Sequence, residues 1–184
     1  MPPDRLSSLR ELEAAIWQEL TRATHDRHHA WRHAVLATVA GDAADARTVV
    51  LREVDADSRQ LVIYTDSRAA KVTQLQAHPE ATLLLWSPRL GWQLRCRLHA
   101  EVEDNGISVS SRWTRMKLSP ASQDYLSPLA PGSALDAQAP AVAHREYFAV
   151  ITAHVVSLDW LELHRDGHRR AFFGRDGAAR WLQP

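Results

Sequence analysis

Arg47-Thr-Val-Val-Leu-Arg-Glu-Val-Asp-Ala-Asp-Ser-Arg-Gln-Leu-Val-Ile-Tyr-Thr-Asp-Ser-Arg-Ala-Ala-Lys71 reads as a β-hairpin that runs into a helix. Thr48 to Val54 is rich in β-branched residues and carries Arg47 and Arg52, and Leu61 to Thr65 is a second apolar run of β type. Between them, Asp55-Ala56-Asp57-Ser58 has the chemistry of a turn. After Thr65, Asp66 or Ser67 is placed to cap a helix with apolar positions at Val72 and Leu75, which His78-Pro79 ends. Thr65, Ser67, Arg68 and Lys71 are thereby expected around one helix start. Free backbone N–H groups and the positive end of the helix dipole suit a phosphate there, and the competing reading is a solvated helix end with ordinary surface cations.

Outward from this unit the chain is mostly strand. Upstream, Leu6, Leu9, Leu12, Ala15, Ile16 and Leu20 predict an amphipathic helix over about 5–23, packed on one end of a barrel or on a second subunit. His25, His29 and His33 would share a face if that helix continued, which raises a metal site. No cysteine or carboxylate cluster accompanies them, so a histidine-rich loop leading into the strand Ala34 to Val39 is the preferred reading. Downstream, Ala81 to Trp86 is a continuous apolar run, as in a strand buried on both faces. Gln93, Arg95, Arg97, His99 and Glu101 alternate with Leu94, Cys96 and Leu98, giving a strand with one polar face. Ser108 to Leu118 predicts a short helix, and Ser119 to Ala143, with four prolines, an irregular loop. A C-terminal hairpin over about 147–174 turns at Arg165-Asp166-Gly167.

Composition narrows the function classes. With 184 residues and 45% hydrophobic content the chain can bury one sizeable core, so residues 1–184 are expected to form a single domain. Twenty-two basic residues balance 22 acidic ones without forming a stripe, which argues against nucleic acid as the partner. The lone Cys96 permits no intrachain disulfide, and its place among Leu94 and Leu98 suits a small apolar filler better than a redox group. No apolar run reaches membrane-spanning length and the N-terminus has no signal-peptide core, so a cytoplasmic protein without a membrane partner is expected. The common nucleotide and hydrolase motifs, G-x-G-x-x-G and G-x-S-x-G among them, are missing.

As a spaced set, Arg47-Thr-Val-Val-Leu-Arg52, Tyr64-Thr65, Lys71 and Gln93 resemble the FMN-binding pattern of the pyridoxamine 5′-phosphate oxidase-like split-barrel flavoproteins. The likeness runs from about Trp31 to Phe173. It implies a mainly β (α+β) fold, a six-stranded antiparallel split β-barrel of Greek-key type with peripheral helices, assembled as a homodimer with flavin at the subunit interface. On this resemblance Arg47, Arg52, Ser67, Arg68 and Lys71 would hold the FMN phosphate, with Thr48, Tyr64 and Thr65 beside them. Val49, Val50 and Leu51 would pass their main chain along the flavin ring, and Gln93 would reach it. Trp160 and Arg170, ten residues apart across the Asp-Gly turn, would come from the neighbouring subunit.

The resemblance implies an FMN-dependent oxidoreductase acting on a small-molecule substrate or electron donor. Ala171 and Phe173, read as standing where vitamin B6 oxidases place a substrate arginine and histidine, imply an altered B6 site. Arg112 is a candidate substrate contact, and His99 the best-placed proton donor by alternation with Gln93. Two other readings remain open: a haem-binding split barrel, and a flavin-binding protein without turnover.

Overall fold

The computed structural model describes residues 5–119, 122, 125–135 and 147–184. Helix α1 (Leu9–His25) is capped by Ser8, whose hydroxyl accepts from the Glu11 N–H, and it lays Leu12, Ile16, Trp17, Leu20 and Ala23 against the core. A short 3₁₀ turn (Ala30–Arg32) leads into β1 (His33–Ala40), followed by β2 (Ala43–Asp55), β3 (Gln60–Asp66), α2 (Ala70–Ala77), β4 (Glu80–Ser87), β5 (Trp92–Glu103), α3 (Gly106–Met116), β6 (Phe148–Glu162), β7 (Arg169–Gly174) and β8 (Ala179–Leu182).

The sheet order is β3-β2-β1-β4-β5-β6-β7-β8, and β3 also pairs with β6. Six strands therefore close into an antiparallel barrel, and β4-β1-β2-β3 is the Greek-key order. Strand β6 makes the split possible. Its first half, Phe148 to His154, pairs with β3, whereas Ser157 to Glu162 pairs on the same edge with β7. Between them the register against β5 shifts at Arg97/Leu98, leaving Val156 outside.

Local chemistry explains the turns. Gly41 has φ +64°, the first of the two residues joining β1 to β2, where any side chain would strain the left-handed backbone. In the hairpin between β2 and β3, Asp55 Oδ1 accepts from the N–H groups of Asp57 and Ser58, so the aspartate itself folds the turn. Gly91 is needed for a different reason: a Cβ there would stand 2.6 Å from the Leu163 carbonyl oxygen.

Two cores result. The larger fills the barrel and reaches α1, with Leu36, Leu51, Leu61, Ile63, Leu83, Leu85, Leu94, Cys96, Leu158, Trp160 and Phe173 all essentially inaccessible. Burying each large apolar side chain of this kind stabilises the fold by about 1.5–3 kcal/mol. The smaller lies outside the β3–β6 pair, where Val62, Phe148 and Val150 are covered by Val109, Trp113 and Met116 of α3 and by Tyr125.

Several expectations are revised. The first helix starts at Leu9, later than residue 5, because Ser8 caps it there. Residues 81–86 are buried on one face only: Ala81, Leu83 and Leu85 point inward, while Leu84 is partly exposed and Trp86 is 42% exposed. Neither Asp66 nor Ser67 caps α2, whose N-cap is Ala69 with no side-chain bond. The proline-rich stretch from 119 to 143 falls partly outside the described residues; within it, 126–135 contains neither helix nor strand. Strand β8, which no sequence signal separated from the tail, extends the sheet beyond the hairpin.

Candidate functional site

Arg47, opposite Leu36 in the β1–β2 register, reaches residues far away in the chain. Its guanidinium donates to Thr38 Oγ1 at 2.6 Å, to Gln74 Oε1 of α2 at 2.8 Å and to the Leu36 carbonyl at 3.2 Å, and pairs with Asp45 at 2.6 Å. Gln74 also donates to Asp45 at 2.9 Å. The Gln74 hydrogen bond, together with Arg47, lowers the Asp45 pKa against the opposing effect of burial.

Lys71, one turn before Gln74 on α2, donates to Thr65 Oγ1 at 3.1 Å and has no carboxylate at ion-pair distance among the described residues. Burial, and then the charge of Arg47, push the Lys71 pKa down. An ammonium that is partly desolvated next to a guanidinium is destabilised until an anion joins it, so this corner of the molecule fits a phosphate.

The hairpin adds two features. Strand β2 pairs with β1 through Ala43–Val50 but with β3 only from Leu51 onward, so the second edge of Thr48, Val49 and Val50 has no ladder partner among the described residues. A strand edge left open offers main-chain donors and acceptors to a ligand. At the bulge between Leu51 and Glu53 stands Arg52. Its Nε is buried without a partner among the described residues, its Nη2 reaches the Tyr125 hydroxyl only at 3.4 Å, and its guanidinium lies 5.8 Å from the centre of the Tyr64 ring. An orphaned buried donor of this sort is expensive unless a ligand supplies the acceptor.

Other expected site residues are differently engaged. Arg68 forms a two-pronged pair with Asp66, donates to the carbonyls of Ser127, Pro128 and Leu129, and lies 3.4 Å from the centre of the Tyr147 ring. Its donors are spent on pinning the 127–129 segment, so it is a clamp rather than an open phosphate ligand. Ser67 is held by its main-chain N–H, which donates to the Tyr147 carbonyl at 2.7 Å. The Tyr64 hydroxyl donates to Glu53, which also receives Arg112 at 3.0 Å, and the ring packs edge-on against Phe148. Burial would raise the Glu53 pKa, but the bonds from Tyr64 and Arg112 outweigh it and the net shift is downward. Burial and the Glu53 contact raise that of Tyr64. Arg112 is thus committed to Glu53 under α3.

Gln93 and Arg170 stand in one cross-strand row on the outer face of the sheet, each opposite Leu161. Trp160 does not join them. It pairs with Leu94 and Ala171 in the adjacent, inward row, is fully buried, and packs edge-on against Trp92 with ring centres 5.3 Å apart. The hairpin does bring Trp160 and Arg170 close, but on opposite faces of the sheet. Ala171 and Phe173 are likewise core residues, 0% and 1% exposed, on the inward face of the sheet. Phe172 is the aromatic that faces outward.

His25, His29 and His33 end α1, cap the 3₁₀ turn and open β1 respectively, so they never form a helical face; His29 pairs with Glu19 at 2.8 Å. His99 shares the face of Gln93 but lies six residues along the strand, about 20 Å away, and is bonded to Glu80 at 2.8 Å. Cys96 is wholly buried, and burial pushes its thiol pKa up. Sequence reasoning missed Thr38, Asp45 and Gln74. Only the spacing of Gln74, three residues after Lys71 on a helix, could have indicated one of them.

Residues 14–104 match the family model described as pyridoxamine 5′-phosphate oxidase, FMN-binding domain. With its six-stranded barrel, the chain belongs to the pyridoxamine 5′-phosphate oxidase-like family of split barrels. Among solved structures, a pyridoxamine 5′-phosphate oxidase-related, FMN-binding protein from Nostoc punctiforme is 23% identical, with 98% of this chain and 100% of that one covered and a TM-score of 0.75. PhzG from Burkholderia lata, solved with tetrahydrophenazine-1-carboxylic acid, is 20% identical over 98% and 95% of the two chains, with a TM-score of 0.65. A haem-binding protein from Mycobacterium smegmatis is 15% identical over 88% and 59%, with a TM-score of 0.55. At these identities the likeness to the three structures is one of fold. No curated protein matches the chain.

Proposed function

We propose that this chain binds FMN as a homodimer and acts as a flavin-dependent oxidoreductase. The observation that carries the reading is Lys71: a partly buried ammonium beside Arg47, with no carboxylate partner among the described residues, where the matched family is an FMN-binding one. Lys71, Arg47 and Thr65 would take the phosphate. Arg52, whose Nε has no partner among the described residues, and the open edge of Thr48, Val49 and Val50, with the paired Leu51 next along the strand, would meet the rest of the cofactor. FMN, when bound, supplies transfer of a hydride or of electrons, which no side chain of this chain can perform.

Gln93 and Arg170 share an outward row, and the second subunit is the natural source of that row for a flavin held at the α2 corner of the first. Tyr64 and Arg68 support the site from behind, through Glu53 and Asp66 respectively. Trp160 fixes the barrel wall that carries Leu161 and Arg170.

The visible absorption spectrum of the purified protein, with mass identification of the released cofactor, tests the reading. Flavin bands and the mass of FMN are expected; a haem Soret band would overturn it and favour the relationship to the M. smegmatis fold instead. Anaerobic addition of NADH or NADPH is then expected to bleach the flavin bands. Persistence of the oxidised spectrum with both donors would make the protein a flavin carrier rather than an oxidoreductase.

A further inference from the structure

On the outer face of β4–β5–β6–β7, the row next to Gln93–Leu161–Arg170 is Leu84–Arg95–Asp159–Phe172, and the one after it is Thr82–Arg97–Ser157. These two rows enclose a pocket of about 420 Å³ lined by Thr82, Arg95, Arg97, Ser157, Asp159 and Phe172. Its charge is unbalanced. Arg95 and Arg170 both pair with the single carboxylate of Asp159, the latter at 2.7 Å, while Arg97 has neither an ion pair nor a hydrogen-bond partner among the described residues. Two guanidinium groups thus line the pocket with one carboxylate, which Arg170 of the neighbouring row also engages. Arg180 adds positive charge at the rim, 4.4 Å from the centre of the Phe172 ring. The nearest other acid along β4, Glu80, is taken up by His99.

We infer that this pocket binds a planar aromatic carboxylate, with Arg97 pairing the carboxylate, the hydroxyls of Thr82 and Ser157 bonding its second lone pairs, and Phe172 supporting the ring. A guanidinium fork matches a carboxylate in two parallel bonds, which explains why arginine rather than lysine stands at both strand positions. The aromatic wall separates this ligand from a bare inorganic anion, which could use the charge but not the ring. That the pocket is the substrate end of the flavin site, one to two rows from Gln93, rests on the function proposed above. Binding of the carboxylate does not.

Benzoate, inorganic phosphate and benzyl alcohol are the probes, titrated calorimetrically into the full chain with and without FMN. Benzoate should bind the wild type and weaken by about tenfold or more in Arg97→Ala, with an intermediate loss in Arg97→Lys and no change in Arg165→Ala, an exposed turn control. Phosphate and benzyl alcohol should each bind at least about tenfold more weakly than benzoate. The inference is overturned if the wild type fails to bind benzoate, if Arg97→Ala binds it equally well, or if phosphate binds as tightly. Because Arg97 is exposed, its replacement should leave the fold and FMN affinity intact. Benzoate binding without FMN binding in the wild type would sink the flavin reading alone; FMN binding without benzoate binding would sink this inference alone.

Discussion

Lys71 and Arg47 are neighbours with different second duties, and this separates their expected phenotypes. Among the described residues Lys71 makes one hydrogen bond, to Thr65, so Lys71→Ala should weaken FMN by about tenfold to a hundredfold, the value of one charge-assisted contact, while leaving the melting temperature almost unchanged. Arg47→Ala should weaken FMN by a similar factor and also destabilise the apo-protein, because it frees Asp45, Gln74 and Thr38 together. Unchanged FMN affinity in both, measured by fluorescence titration, would remove the phosphate assignment. A pH effect belongs at this scale too. Glu162 is nearly inaccessible and receives Arg5 at 2.7 Å and Arg169 at 2.9 Å; these bonds outweigh burial and hold its carboxyl below the usual range. A pKa lowered on folding contributes stability that is complete above the unfolded value, about 4.3, and is lost as pH falls through the folded one. Wild type should therefore lose stability over that acid range, and Glu162→Gln, less stable at neutral pH, should show a flatter profile in urea melts at pH 7 and pH 3. The cationic residues themselves were legible in the sequence. Their allocation was not, since whether Arg68 meets a phosphate or the carbonyls of 127–129 depends on a segment 59 to 61 residues away.

At the scale of elements, strands could be read where polar and apolar residues alternate, as from Gln93 to His99, and the β2–β3 turn could be read from Asp55 because its side chain makes the turn's own hydrogen bonds. Periodicity failed where the sequence was uniformly apolar. Residues 81–86 offer no contrast between faces, so only the barrel reveals that Leu84 and Trp86 point outward. The face of Trp160 was equally hidden, because a spacing of ten residues across a hairpin fixes proximity but not the side of the sheet, and a register change of one residue reverses it. Trp160 being a core residue, Trp160→Ala should cost about 3–5 kcal/mol in unfolding free energy whether or not FMN is present. A full loss of FMN affinity with stability unchanged would instead make it a direct ligand contact.

The whole molecule leaves an apolar band on the outside of the barrel: Val35 and Val39 on β1 and Trp86 in the Gln93–Arg170 row are exposed to between a third and a half, and Leu84 beside Val35 is half-buried. Such a face suits a second copy, and Trp86→Glu should convert a dimer seen by sedimentation into a monomer that has also lost FMN. A Trp86→Glu dimer that retains FMN would place the interface elsewhere. On the proposed function the α2 corner recognises a flavin through its phosphate, and titration of the apo-protein with FMN and with riboflavin, followed by quenching of flavin fluorescence, tests this. Because Lys71, Arg47 and Thr65 would meet FMN through its phosphate, which riboflavin lacks, FMN should bind at least about a hundredfold more tightly than riboflavin. Equal affinity for the two, or no affinity for either, would contradict a flavin phosphate site at this corner.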